Sequence, residues 1–139
     1  MFGRREQLAA AEWQRFLMYA SDHGLSIVTV IAVYQLAESG TKATISIAGE
    51  DSLHDAWFWW DRVEPGSALA VALSTGYGTH THRSGVVYVG SQDGGSGVYD
   101  RLDAKTLARA RRHQLRAVAK QHRLDKRMRR TQLTPAVPR

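Results

Sequence analysis

The chain has no cysteine, so disulfides and thiolate metal sites are excluded and the redox compartment is left open. Proline is scarce: three in 139 residues, two of them in the final stretch "TQLTPAVPR". No long apolar run is present. The longest, Ile27 to Leu36, is interrupted by Thr29 and Gln35 and falls well short of the about 20 residues that a membrane-spanning helix needs. Near the N-terminus Glu6, Gln7 and Glu12 break up any signal-peptide core. A cytoplasmic protein, or one packaged in a particle assembled in the cytoplasm, is expected. Catalytic signatures are also missing. There is no H-E-x-x-H, no G-x-S-x-G elbow and no G-x-x-x-x-G-K-[ST] loop, and "GSQDGGSG" (90–97) lacks the lysine and helix entry that a phosphate cradle requires. The expectation is a protein that is not an enzyme and carries no cofactor.

What the chain does have is enough apolar material for one core. Hydrophobic residues make up 43% and include four Trp, five Tyr and three Phe, which argues for one folded body and against general disorder. Charge is distributed unevenly. Residues 101–139 hold thirteen of the nineteen Lys and Arg and only two acids, Asp103 and Asp125, a net +11. Residues 1–100 hold six basic and eleven acidic residues, a net −5. An acidic body (1–102) is thus joined to a basic C-terminal helix (103–130) and an extended tail (131–139). Such separation points to an anionic partner, or to another copy of the same chain.

Periodicity predicts a helix over 7–22, with Ala9, Trp13, Phe16, Leu17 and Ala20 on one face, ended at His23-Gly24. The β-branched run 26–36 and the alternating "TKATISIAG" (41–49), with Ile45 and Ile47 inward, predict a hairpin. Asp51 or Ser52 resembles a helix cap, and Leu53, Ala56, Trp57, Trp60 and Val63 share a helical face, so a middle helix is expected there. A second hairpin (67–90), a loop and a long terminal helix complete an α-ββα-ββα order. The expected fold is α+β, a four-stranded antiparallel sheet with packed helices, the alternative being a small, partly open β-barrel flanked by helices.

Three features are candidate sites. His80 and His82, in "GYGTHTHRSG", would point to one face of a strand and are weak metal candidates. No third ligand stands at a recognisable spacing, so a polar turn is the better reading and no metal is expected. In "AWFWWDR", Trp57 and Trp60 fit the core and Trp59 is a candidate interface residue.

The third feature is "DAKTLARARRHQLRAVAKQHRLDKRMRR" (103–130). A stripe of Ala104, Leu107, Ala108, Leu115, Val118 and Ala119 is expected to dock on the body, after which the helix projects. A narrower line, Ala110, Ala117, Leu124 and Met128, offers a second contact, with Leu124 and Met128 as candidate interface residues. The basic residues read as pointing in most directions. Arg112, Arg116, Lys120, Arg123, Lys126, Arg127, Arg129 and Arg130 are the candidate contacts to nucleic acid or to an acidic partner surface. Only Asp125 is available for pairing among the distal ones. Nothing in the segment suggests reading of base sequence. A membrane-surface helix would want more apolar bulk opposite the charge.

The function expected is non-enzymatic binding and assembly through phosphate or acidic-surface contacts. The alternative is a structural subunit of a larger assembly, of the phage virion or connector kind, whose basic arm lies on a neighbour's acidic body and so forms a homo-oligomer. A metal-dependent enzyme using His80 and His82 ranks third.

Overall fold

A computed structural model of the chain describes residues 3–74 and 85–133. The described elements run α1 (Arg4–Asp22), β1 (Ser26–Ala37), β2 (Gly40–Ile47), β3 (Leu53–Trp59), β4 (Ala68–Val71), β5 (Leu73–Ser74), β6 (Val86–Val89), β7 (Val98–Leu102) and α2 (Ala104–Leu133). The class is α+β. The sheet has seven strands, in the order β5-β6-β3-β2-β1-β4-β7, and it is mixed, because β3 and β6 run parallel while the other pairs are antiparallel.

α1 ends where the sequence places a stop. His23 caps the helix, and Gly24, at φ 63°, takes the left-handed conformation that residues with a Cβ avoid. The Leu25 N–H then donates to Ala20 O and the Gly24 N–H to Ser21 O, closing the last turn as a Schellman motif. The first hairpin pairs Val28 with Ile47 and Val30 with Ile45, and turns over Glu38-Ser39.

The expected middle helix is instead a strand. Leu53–Trp59 pairs along its whole length with β2, from Ser46↔Leu53 to Gly40↔Trp59. Its apolar residues satisfy a period of two as well as one of 3.6, since Ala56 and Phe58 lie on one face and Trp57 and Trp59 on the other. Aromatic side chains, which lose rotamer freedom in a helix and pack well on a pleated sheet, decide in favour of the strand. The Asp51-Ser52 pair belongs to the turn before β3 and caps nothing.

The four-stranded antiparallel expectation is therefore too small, and wrong in its middle helix. The sheet curls into a half-barrel, closer to the alternative of a partly open barrel. Only Ala72 separates β4 from β5, yet β4 bonds to β1 and β7 while β5 bonds to β6 at the opposite end of the strand order. One short stretch of chain thus ties both ends of the sheet together, which forces the curl. Of the expected second hairpin, the described residues include the antiparallel pairing of Leu73 with Val89 and of Ser74 with Tyr88, and its residues 75–84 lie outside them.

The curl encloses the main core: Val28, Val30, Ala43, Ile45, Ala56, Phe58, Leu69, Val71 and Val89, all fully buried. A second core lies on the other side of β4. There Ala68 and Ala70 meet Phe16 and Ala20 of α1, Leu102, and Leu107 of α2. Small residues on β4 let the helices come close.

Gly40 is fixed by packing. A Cβ there would lie 2.2 Å from the carbonyl oxygen of Phe58 and 2.9 Å from Cζ2 of Trp57.

The tryptophan assignments are partly reversed. Trp59, the candidate interface residue, is 9% exposed and belongs to the body, while Trp60, expected in the core, is 50% exposed. Strand parity sets Trp59 on the face opposite Ala56 and Phe58, where its ring meets that of Trp57 edge-on, and the chain then swings out at Trp60, whose φ is 65°.

Candidate nucleic-acid interface

α2 starts on Asp103, whose carboxylate accepts from the Thr106 N–H at 2.7 Å, a standard N-cap bond. Bonds from the Thr106 side chain and backbone hold the Asp103 carboxyl below the usual carboxylate range. The helix is 30 residues long, or about 45 Å.

Its first turns dock. Leu107 is 1% exposed and Ala110 is buried with it, whereas Leu115 and Val118, expected to continue the docking stripe, are 68% and 60% exposed. Docking follows the line Leu107–Ala110, so Ala110, Ala117, Leu124 and Met128 continue the buried side and Leu115 turns away from it. The helix leaves the body at its contact with α1, where Glu6 bonds Arg116 at 2.5 Å and lies 3.7 Å from Arg112. The sequence groups these two arginines with the partner contacts, and the fold engages them at this joint. From residue 117 to 131 every side chain is exposed, and this half of the helix extends about 25 Å beyond the joint.

The projecting half carries Lys120, Arg123, Lys126, Arg127, Arg129 and Arg130 against one acid, Asp125. Asp125 accepts a bond from Gln121 at 2.9 Å. Among the described residues, no carboxylate pairs with Lys120, Arg123, Lys126, Arg127 or Arg129.

The basic residues are also more ordered in direction than expected from the sequence. Lys105, Arg109, Arg112, Arg116, Lys120, Arg123, Arg127 and Arg130 follow one another at intervals of three or four residues. At about 100° per residue they stay within an arc of about 80° along the whole helix. Lys126 flanks this stripe, and Arg111 and Arg129 lie off it. The signal is present in the sequence, in the steps of four and three residues, and is lost when the charges are only counted.

Two other polar groupings were not foreseen. Asp61, just past β3, accepts from Arg101 at 2.8 Å and closely from Ser96 Oγ, while its own carbonyl takes the Thr41 hydroxyl at 2.6 Å. Arg101 also donates to Arg62 O at 2.7 Å. Beside it, Trp60 Nε1 donates to the carbonyls of Ser91 and Gln92, both at 3.1 Å, pinning the glycine-rich loop. These bonds close one end of the half-barrel. A groove of about 400 Å³ nearby is lined by Glu12, Arg62, Glu64, Arg101 and Asp103 among others, with both signs of charge mixed.

On the outer face of the sheet, burial and then a hydrogen bond to Asp55 push the Tyr34 phenol upward, and Lys42 sits 5.6 Å from the centre of its ring. Both groups are thereby engaged with neighbours in the sheet.

His80 and His82 lie outside the described residues, as do residues 134–139 of the expected tail; 131–133 belong to α2. Among the described residues no cluster of three or more His, Asp or Glu is arranged to hold a metal ion. No helix among them is long and apolar enough to cross a membrane. Comparison with family models, curated proteins and solved structures gives no match.

Proposed function

We propose that the protein is a non-enzymatic binding and assembly protein that lays the basic stripe of α2 along nucleic-acid phosphates, without regard to base sequence. The observation that carries this reading is the stripe itself: eight Lys and Arg in one narrow arc, continuing past the joint on a helix whose distal half, among the described residues, is exposed. Like charges held this close repel one another, and an anion offsets that cost. A duplex presents about one phosphate per 1.7 Å of its axis, so a row of cations at steps of about 5 Å finds acceptors in any register. Sequence-independent contact follows from residues that reach phosphate and carry no base-reading amides on that face.

The separation of a net −5 over residues 1–100 from a net +11 over 101–139 favours one other reading, a basic arm seated on the acidic body of the next copy in an assembly.

Fluorescence anisotropy with random duplex DNA and single-stranded RNA over a salt series tests the first reading. Affinity for the duplex should fall with salt, the four distal residues Lys120, Arg123, Arg127 and Arg130 contributing about −4 to the logarithmic slope, and changing those four to Gln should remove that share. No binding at low salt removes the nucleic-acid reading. Size that grows with concentration in the absence of nucleic acid, through an arm-to-body contact, then supports the assembly alternative.

A further inference from the structure

The basic stripe of α2 is interrupted near its middle by an acid from another element. Glu6, in the first turn of α1, sets one carboxylate oxygen against each of two successive stripe residues. Oε2 accepts from Arg116 at 2.5 Å, and Oε1 lies 3.7 Å from Nε of Arg112. The Glu6 side chain is 14% exposed, whereas both arginine side chains are about half exposed. The acid is thus enclosed at the joint, and each guanidinium keeps an open side toward solvent.

A phosphate meets arginines in the same manner, with two oxygens set against guanidinium N–H groups. We infer that Glu6 is an internal competitor for the phosphate surface, occupying at Arg112 and Arg116 the place that a backbone phosphate would take. This rests on the phosphate-binding reading above and deepens it, because Glu6 then decides how much of the stripe a strand engages. With the carboxylate in place the stripe consists of two stretches, Lys105 with Arg109 and Lys120 through Arg130. Between them two cations share one acid.

Exchange of carboxylate for phosphate has a definite cost. Arg112 and Arg116 turn fully to a strand only by leaving an enclosed carboxylate without its partners, which is unfavourable. A strand already held by the distal cations presents its next phosphates to the two arginines at high effective concentration. The distal half therefore engages first and the joint second. Removing the charge of Glu6 removes the cost and joins the two stretches into one surface.

Fluorescence anisotropy with a random-sequence DNA duplex over a salt series tests this on the full-length protein. The set is wild type, Glu6→Gln, Glu12→Gln, and the pair Arg112→Gln with Arg116→Gln placed in wild type and in Glu6→Gln. Glu12 is the control, an acid of the same helix that lines the groove beside Arg101 and Asp103, about 9 Å further along the axis. Glu6→Gln should bind about five- to tenfold tighter near 0.1 M salt, with a logarithmic slope steeper by about 1–2, as one or both arginines gain a phosphate. Glu12→Gln should shift affinity by less than about twofold, its charge being screened over that distance. Replacing the two arginines should weaken Glu6→Gln by more than it weakens wild type, a coupling that the general loss of one negative charge does not produce. Circular dichroism should show the same helix content throughout.

Equal effects of Glu6→Gln and Glu12→Gln, or arginine changes that simply add, would overturn the inference and leave the phosphate reading standing. Weaker binding by Glu6→Gln would overturn it as well, since Glu6 would then be holding the arginines in place for the strand. No binding by any of these proteins at low salt removes the phosphate reading, and this inference with it.

Discussion

Leu107 and Leu115 stand two turns apart on one helix, and one is 1% exposed while the other is 68% exposed. Between them the chain passes from a body whose residues answer to one another to an arm whose residues answer to solvent. In the body, apolar side chains are spent on two cores, and the acid Asp61 is bonded to its surroundings. In the arm, apolar residues are exposed, and among the described residues no carboxylate pairs with Lys120, Arg123, Lys126, Arg127 or Arg129. Stability is therefore expected to reside almost entirely in the first region and binding in the second.

The largest effect that would sharpen this contrast is at the centre of the half-barrel. Phe58 is fully buried, and Phe58→Ala should cost about 3–5 kcal/mol by urea unfolding. The four-residue Gln variant of the arm should stay within about 0.5 kcal/mol of wild type in the same assay. An arm variant that unfolds the body would show that the two regions are one cooperative unit.

Next in size is the comparison along the helix itself. Leu107→Ala should cost about 2–4 kcal/mol because it empties a site shared with Phe16 and Ala20. Leu115→Ala should change stability by less than about 0.5 kcal/mol. Equal losses at the two positions would mean that the docking face runs further along α2 than described.

The smallest effect is at the boundary. Asp103→Ala removes the N-cap of α2 and should cost about 1 kcal/mol. Because the folded state holds this carboxyl below its unfolded value, its contribution is present at neutral pH. It is lost as the solution is acidified below about pH 4 through the folded pKa. A pH series of thermal unfolding should therefore show wild type and Asp103→Ala converging in acid.

The sequence makes both terminal helices, the first hairpin and the charge asymmetry legible, because each rests on local signals: a Schellman glycine, a β-branched run, a two-residue turn and a count of charges. It misleads at residues 52–63. There the spacing of Leu53, Ala56, Trp57 and Trp60 suits a helix, and only the partner strand β2 reveals the period of two. The docking face of α2 fails for a similar reason. Leu115 and Val118 are more hydrophobic than Ala110, but the small residue is the one buried where α2 packs on the body beside α1. The parallel pairing of β3 with β6 and the bonds at Asp61 join residues far apart in sequence, so no local pattern announces them. The basic stripe is a different case, since its spacing was there to be read.

The joint at Glu6 has a consequence in time. Glu6 and Arg116 are 110 residues apart along the chain, and Phe16 finds part of its burial against Leu102 and Leu107. On a ribosome α1 is made first and must wait, with an apolar face open to solvent, until β7 and the start of α2 have emerged. Folding is thus governed by the last contacts to become available, and a body built on such distant contacts is expected to fold slowly for its size. The same dependence makes truncation upstream of Leu107 far more damaging than truncation beyond Arg116, where the body is already complete.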